Sequence, residues 1–170
     1  MRKIRWGILG AARINERLIP AINQSDLGDL IAIGSRRSGA AKECLLKNLP
    51  EFEDKVSCFD GFDQVINHEN IDAIYIPLAN EEHTAFALKA IRAKKHILIE
   101  KPMAIKSQEV KLLIEEASKN NIKIMEGFMY AFHPQFDRII NILKSNILGD
   151  INYAHSMFSF PIKSERFYRI

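Results

Sequence analysis

The chain has 170 residues, of which 47% are hydrophobic, 26% charged and 9% aromatic, a balance typical of soluble globular proteins. This composition excludes a disordered, collagen-like or disulfide-framework class, and the length allows one full domain, or one domain and part of another. The 24 basic and 21 acidic side chains leave a formal charge of only +3, so we predict no nucleic-acid or membrane partner.

The predicted elements alternate between short apolar runs and amphipathic segments. The apolar runs are too short for helices and indicate strands buried on both faces; they cover residues 4–9, 30–34, 56–59, 71–76, 96–99 and 122–125. Helices are predicted between them, with Asn80 and Ser107 as candidate N-caps and a third helix over residues 40–49. This alternation predicts an α/β fold with a Rossmann-type, doubly wound parallel sheet.

The pattern changes in the last quarter of the chain. An amphipathic helix follows Pro134, and a strand is predicted over residues 151–160 with no helix after it. We therefore predict a first domain over residues 1–127 and the beginning of a second α/β domain over residues 128–170. This second part is too short to close a core, so we expect it to be incomplete.

Cysteine and histidine positions predict no metal site. Cys44 and Cys58 lie on different predicted elements without metal-type spacing, and we interpret them as reduced thiols of a cytoplasmic protein. His133 has no second ligand at a useful spacing. The first residues do not predict a secretory leader, and no run reaches the ~18 apolar residues of a membrane span.

The turn after the first strand is the first candidate ligand contact, because open parallel sheets bind ligands at the carboxyl ends of their strands. Of the three glycines of a dinucleotide fingerprint, expected at 10, 12 and 15, only Gly10 is present. Ala12 adds a single methyl, so a diphosphate can still approach the N–H groups of the following helix. A tight turn without a ligand is the alternative. The residues concerned are Gly10, Ala11, Ala12, Arg13 and Ile14.

The end of the second strand favours NADP over NAD, although NAD remains possible. An NAD site typically places an acidic residue here for the ribose hydroxyls. This sequence has Ser35, Arg36 and Arg37 instead. A hydroxyl and two guanidiniums suit a 2′-phosphate, which guanidinium binds bidentately. The alternative is that both arginines are solvated loop charges.

A lysine follows the fifth predicted strand. Pro102 cannot continue the strand, so Lys101 is expected at the sheet edge, where it can donate a hydrogen bond to a substrate hydroxyl or carbonyl and transfer a proton. Glu100 is placed to orient this lysine. Other residues predicted at the same edge, as contacts to a cofactor or substrate, are Pro77, Leu78, Asn80 and His83.

These motifs together resemble the Gfo/Idh/MocA oxidoreductase family, in particular its NADP-dependent dihydrodiol and xylose dehydrogenase branch. The resemblance rests on residues 7–10, Ser35 with Arg36, the segment from Pro77 to His83, the Glu-Lys-Pro at 100–102, and residues 125–130 with 133–135. Ala79 and Ala131 depart from it, because Pro and Arg are common at these places in the family.

The resemblance implies an N-terminal Rossmann domain and a C-terminal α/β domain that contains a large open sheet. It implies hydride transfer between a sugar or cyclic polyol and NAD(P), with Lys101 catalytic and its bond to Pro102 often cis. A homo-oligomer formed through the second-domain sheet is also expected. The cofactor would be lined by Gly10, Ala12, Arg13, Ile14, Ser35, Arg36, Leu78, Asn80, His83, Glu100 and Lys101.

Two functional hypotheses follow. The first is an oxidoreductase represented by its cofactor domain and a truncated substrate domain. The second is a non-catalytic nucleotide-binding or interaction module that lacks the substrate domain. Nucleotide binding is common to both, and turnover of a polyol distinguishes them.

Overall fold

Six strands form one parallel sheet in the computed structural model, which describes residues 2–159 and residue 161. The strands are β1 (Ile4–Leu9), β2 (Gly28–Gly34), β3 (Ser57–Phe59), β4 (Ala73–Ile76), β5 (His96–Ile99) and β6 (Ile124–Glu126). Their order is β3-β2-β1-β4-β5-β6, and every neighbouring pair is parallel. The order reverses between β1 and β4, which is where such sheets bind ligands. The predicted fold class is confirmed.

Helices connect the strands and cover both faces of the sheet. They are α1 (Asn15–Gln24), α2 (Ala40–Asn48), α3 (Asp63–Ile66), α4 (His83–Arg92), α5 (Ser107–Lys119) and α6 (Pro134–Lys144), with short 3₁₀ turns at Pro50–Phe52, Asn80–Glu82 and Met129–Phe132. The sequence did not predict α3, because a single helical turn is too short to show a periodic pattern. The six strands predicted in the first domain are all present, with ends displaced by at most two residues.

The core consists of two apolar layers, one on each side of the sheet. Neighbouring residues of a strand point to opposite faces, so Ile8 of β1 joins one layer and Leu9 joins the other. Tyr75 likewise faces the layer opposite to Ile74. Both faces are therefore buried, which is why these strands are apolar throughout rather than alternating.

Both candidate helix caps have other positions in the structure. Ser107 is the first residue of α5, and the carboxylate of Glu109 accepts a hydrogen bond from the backbone N–H of Lys106 at 3.1 Å. Asn80 begins the 3₁₀ turn and makes no side-chain cap. A longer acidic side chain and an inserted turn thus replace the predicted serine and asparagine caps.

The chain divides into two compact units, residues 1–128 and 129–170. In the second unit, His133 caps α6: its Nδ1 accepts a hydrogen bond from the backbone N–H of Gln135 at 3.1 Å. The strand predicted over residues 151–160 is wrong for residues 151–159, which have no regular structure, and residue 160 lies outside the described residues. A strand forms only by pairing, and no described segment pairs with this one.

Candidate functional site

The loops after the strands leave the sheet at one level, which we call the carboxyl edge. The backbone N–H of Gly10 donates to the carbonyl of Gly34 at 2.7 Å, and that of Glu100 donates to the carbonyl of Ile76 at 3.1 Å. These bonds continue the strand register beyond the last paired residues. The candidate residues after β1, β2, β4 and β5 are therefore brought to the same edge.

Gly10 forms the turn at which the order of the sheet reverses. Its φ is +102°, a backbone conformation that residues other than glycine rarely adopt. A Cβ at this position would lie 3.0 Å from Cδ2 of Leu78, in the loop after β4. The loops after β1 and β4 thus approach each other closely at the carboxyl edge, and the positive φ favours glycine at this position.

The backbone after Gly10 presents a row of hydrogen-bond donors. Within the described part of the chain, the N–H groups of residues 11–14 have no acceptor, and α1 begins directly after them. Free N–H groups and the positive end of a helix dipole form an anion site. The turn therefore offers the free N–H groups that a diphosphate needs, although two of the three expected glycines are missing.

Asn15, which stands in place of the third glycine, is completely buried. Its Nδ2 donates to the carbonyl of Gly10 at 2.8 Å, so the side chain fastens the turn to the first residue of α1. Its Oδ1 is buried without a hydrogen-bond partner among the described residues. The position therefore holds the turn in shape by a hydrogen bond rather than by close packing.

The two arginines after β2 point to different partners. Arg36 contacts Glu82 through both terminal nitrogens, at 2.6 and 2.9 Å, and its Cζ lies 5.4 Å from the centre of the Phe62 ring. Arg37 instead pairs with Glu43 of α2 at 3.0 Å. Arg36 thus stays beside the loop after β4, whereas Arg37 is directed towards α2, which follows it in the chain.

Ser35 is buried at the end of β2, and its hydroxyl accepts a hydrogen bond from the backbone N–H of Arg37 at 3.3 Å. The next residues are tied to β3, because Asp60 accepts hydrogen bonds from the hydroxyl of Ser38 and the N–H of Gly39. These two bonds hold the pKa of the Asp60 carboxyl below its usual value. The loop after β2 is therefore fixed on both sides of Arg36.

His83 is completely buried, and each of its ring nitrogens faces a backbone carbonyl. Nδ1 lies 2.7 Å from the oxygen of Pro102, and Nε2 lies 3.1 Å from that of Leu78. The ring therefore joins the loop after β4 to the loop after β5. Both nitrogens face backbone carbonyls of the protein, so His83 positions these two loops, and its contact to a ligand stays a prediction.

Tyr75 orients Glu100 from inside the sheet. The Tyr75 hydroxyl donates to Oε1 of Glu100 at 2.7 Å, and the ring is buried in β4. Burial, followed by the hydrogen bond to this carboxylate, raises the pKa of Tyr75 far above its usual value. The tyrosine thus stays a neutral donor and holds the carboxylate beside the lysine that follows it.

Lys101 is exposed at the carboxyl edge, and its bond to Pro102 is cis, as the resemblance implied. The loop beyond it is held by Glu126, whose Oε1 accepts a hydrogen bond from the N–H of Met103 at 2.7 Å. Pro77 is buried, while Leu78 is half-buried and Asn80 is exposed next to it. An accessible primary amine on an ordered loop can bind and transfer a proton.

Two contributors to this edge were not predicted: Tyr75 and Glu82. A tyrosine inside a buried strand does carry a signal, since its hydroxyl needs a partner, and the following strand end supplies one. Glu82 carries no such signal, because acidic residues near helix starts are common on solvated surfaces. Glu126 was expected at this edge, because it follows the last predicted strand of the first domain.

Among the described residues, no group of three or more His, Cys, Asp or Glu side chains could hold a metal ion. No described helix is both long and apolar enough to span a membrane. Cys44 and Cys58 are free thiols, and burial raises the pKa of Cys58.

The sheet order, the reversal at β1 and β4 and the N–H groups after Gly10 define a Rossmann-type domain. Residues 4–128 match the profile described as "Oxidoreductase family, NAD-binding Rossmann fold", and the chain belongs to this Gfo/Idh/MocA family. The family resemblance seen in the sequence is thereby confirmed.

Relatives cover nearly all of this chain, but the chain spans about half of their length. An uncharacterized oxidoreductase of Rhizobium meliloti is 32% identical over 94% of the chain and 46% of the relative. A dTDP-3,4-didehydro-2,6-dideoxy-alpha-D-glucose 3-reductase of Actinomadura kijaniata is 30% identical over 95% and 47%. A trans-1,2-dihydrobenzene-1,2-diol dehydrogenase of Xenopus laevis is 27% identical over 93% and 47%.

Solved structures give the same result. A variant of the 3-ketoreductase KijD10 from Actinomadura kijaniata, in complex with TDP-benzene and NADP, superimposes with a TM-score of 0.80 at 30% identity. The superposition covers 88% of this chain and 45% of that one.

Proposed function

We propose that the chain is the cofactor-binding part of an NADP-dependent oxidoreductase. One observation carries this proposal: three kinds of hydrogen-bond donor lie at the carboxyl edge. They are the free N–H groups of residues 11–14, the guanidinium of Arg36 and the amine of Lys101. Related proteins include sugar and dihydrodiol oxidoreductases, and one solved relative holds NADP.

In this proposal each loop holds a different part of the dinucleotide. The N–H groups of residues 11–14 bind the diphosphate, and Gly10 keeps side-chain atoms away from it. Arg36 and Ser35 bind the 2′-phosphate, and no acidic residue stands at the end of β2 to oppose it. The loops 77–80 and 100–101 border the nicotinamide end. The buried ring of His83 links these loops, because its nitrogens face the carbonyls of Leu78 and Pro102.

The bound nicotinamide supplies or accepts a hydride, and the protein supplies orientation and proton transfer. Lys101 is placed to hold or move the proton of the substrate hydroxyl at its Nζ atom. Tyr75 fixes the Glu100 carboxylate, so the charge beside Lys101 has a defined position. We infer that the substrate is a sugar or cyclic polyol.

The remaining features of the proposal concern the whole protein. We infer a cofactor domain over residues 1–127 and a substrate domain that begins at residue 128. We also infer a cytoplasmic location, in keeping with two free thiols, and a homo-oligomer formed through the substrate-domain sheet. Light scattering of the purified protein tests the last point, and a monomer at micromolar concentration would contradict it.

A fluorescence titration with NADPH and NADH tests the proposed function. We expect NADPH to bind with a dissociation constant at or below about 100 micromolar and more tightly than NADH. Binding of neither nucleotide would overturn the proposal. Tighter binding of NADH would keep a dinucleotide site and overturn the assignment of NADP.

A further inference from the structure

Glu82 occupies the side of Arg36 on which an anion would bind. It is the last residue of the 3₁₀ turn after β4, and its two carboxylate oxygens lie 2.6 and 2.9 Å from the two terminal nitrogens of Arg36. The glutamate side chain is 20% exposed and the arginine side chain 63% exposed. The ion pair therefore lies at the protein surface, open to exchange with another anion.

We propose that Glu82 competes with the 2′-phosphate of the cofactor for Arg36 and so limits the preference for NADP over NAD. This inference rests on the proposed function of the same site. Carboxylates and phosphates accept the same pair of parallel hydrogen bonds from a guanidinium, so one excludes the other from these two nitrogens. A phosphate that displaced Glu82 would also lie near its negative charge.

Phe62 determines the sign of the expected effect. Its buried ring lies below the guanidinium of Arg36, at 5.4 Å, and packs edge-on against Phe86 at 5.0 Å between ring centres. A cation over an aromatic face is attracted to it independently of any carboxylate. The guanidinium of Arg36 therefore stays over the Phe62 ring when Glu82 loses its charge. Glu82 is not needed to position Arg36 for the phosphate, and it opposes phosphate binding instead.

NADH has no phosphate to exchange for the carboxylate. The Arg36–Glu82 ion pair can remain intact when NADH binds, so Glu82 should affect only nucleotides with a 2′-phosphate. The residue thus acts on the difference between the two affinities, which defines a specificity determinant.

The neighbouring residue provides a matched control. Glu81 is exposed in the same turn and has no ion pair among the described residues. Glu82→Gln and Glu81→Gln change the net charge equally, but only the first breaks the contact with Arg36. The difference between the two variants therefore isolates the ion pair from the general change in charge.

The experiment is calorimetric titration of the full chain and both variants with adenosine 2′,5′-bisphosphate (2′,5′-ADP) and with 5′-AMP, which differ only in the 2′-phosphate. We expect Glu82→Gln to bind 2′,5′-ADP about three- to tenfold more tightly than Glu81→Gln does, since exposed ion pairs and like-charge contacts have effects of this size. Both variants should bind 5′-AMP with the same affinity. The affinities for NADPH should differ between the variants in the same way, and those for NADH should not.

Each other outcome overturns the inference. Equal affinities of the two variants for 2′,5′-ADP, with NADPH binding intact, would overturn the role of Glu82 alone. Weaker binding of 2′,5′-ADP by Glu82→Gln would show that the carboxylate supports Arg36. Weaker binding of 5′-AMP by Glu82→Gln would assign Glu82 to the ribose hydroxyls. Failure of the unmodified chain to bind NADPH would instead remove the proposed function, and this inference with it.

Discussion

At the amino edge of the sheet, where the strands begin, charged groups are paired with other groups of the protein. Asp72 accepts hydrogen bonds from Arg5 at 2.8 and 3.0 Å, and Arg2 approaches the same carboxylate at 2.8 Å. Lys95 is buried and donates to the carbonyls of His68 and Ile71. The Arg5 hydrogen bond holds the pKa of Asp72 well below its usual value, and burial lowers the pKa of Lys95.

At the carboxyl edge several groups face outward instead. The N–H groups of residues 11–14 have no acceptor among the described residues, and Lys101 is exposed. Arg36 is exposed too, in a surface ion pair with Glu82. Buried polar groups are normally paired, and a cluster of open donors at one end of a sheet is available to a ligand. The two edges therefore largely separate stability from binding, and substitutions of exposed groups at the carboxyl edge should affect binding, whereas substitutions at the amino edge should affect stability.

The largest effect is expected for the two lysines. In the protein that includes its substrate half, Lys101→Ala should lower kcat by about 10²–10⁴, because a proton-transfer group is lost. NADPH affinity should change by no more than a few-fold, since the amine acts on the substrate. Steady-state kinetics and fluorescence titration measure the two quantities.

Lys95→Met is the contrasting variant at the amino edge. It should lower the free energy of unfolding, because two backbone carbonyls lose their charged donor, and it should leave kcat unchanged. An unchanged kcat for Lys101→Ala would remove this residue from the mechanism.

The second effect concerns the arginines after β2. Arg36→Gln should weaken NADPH binding about ten- to a hundredfold, since hydrogen bonds to charged groups contribute about 1.5–3 kcal/mol. NADH binding should change little. Arg37→Gln is the matched control, because Arg37 pairs with Glu43, and it should leave both affinities within about twofold. Equal losses in the two variants would mean that overall charge, rather than the position of Arg36, attracts the nucleotide.

The third effect concerns His83, which belongs to the carboxyl edge but is closed to ligands. His83→Leu should lower the free energy of unfolding by about 1–3 kcal/mol, because the buried ring N–H that bridges to a carbonyl of Leu78 or Pro102 is lost. The same substitution should weaken the binding of NADPH more than the binding of 2′,5′-ADP. The reason is that 2′,5′-ADP lacks the nicotinamide half of the cofactor, which these loops border. Chemical denaturation and calorimetry measure the two effects. An equal loss of affinity for both ligands would mean that His83 only stabilises the fold and does not position the loops at the nicotinamide end.

The smallest effect is expected at Asp72. Asp72→Asn should lower the free energy of unfolding by about 1–2 kcal/mol at neutral pH and leave NADPH affinity unchanged. Because the folded pKa is depressed, the stabilisation is complete above the unfolded value of about 3.9 and is lost as the pH falls through the folded value. The difference between the two proteins should therefore shrink below about pH 4 in urea denaturation. If the difference in the free energy of unfolding between the two proteins stayed constant across pH, the ion pair of Asp72 would not be its source.

The sequence predicted the sheet and the edge that carries the site, because strands buried on both faces produce uninterrupted apolar runs. Gly10, Arg36 and Lys101 followed from those runs, since parallel strands place what comes after them at one end. The same argument did not determine which residues touch each other there. Whether Arg36 or Arg37 stays at the edge depends on Glu82 and Glu43, acids whose positions relative to the strands are set by tertiary structure.

Two features of the structure could not be predicted from the sequence for a common physical reason. The ring of His83 turns inward to two backbone carbonyls that no sequence pattern displays, while its contact to a ligand stays a prediction. The strand over residues 151–159 was predicted wrongly from its apolar residues, because pairing decides whether such a segment becomes a strand. In both cases the deciding contacts are tertiary and are not visible in the local sequence.

The measurement that tests the central claim most directly is an NMR titration of the ¹⁵N-labelled chain with NADPH. We predict that the largest amide shift changes occur at residues 11–14, Arg36, Asn80 and Lys101, and that the signals of Arg5, Asp72 and Lys95 stay in place. Changes clustered around Asp72 and Lys95, or no saturable change anywhere, would contradict a dinucleotide site at the carboxyl edge.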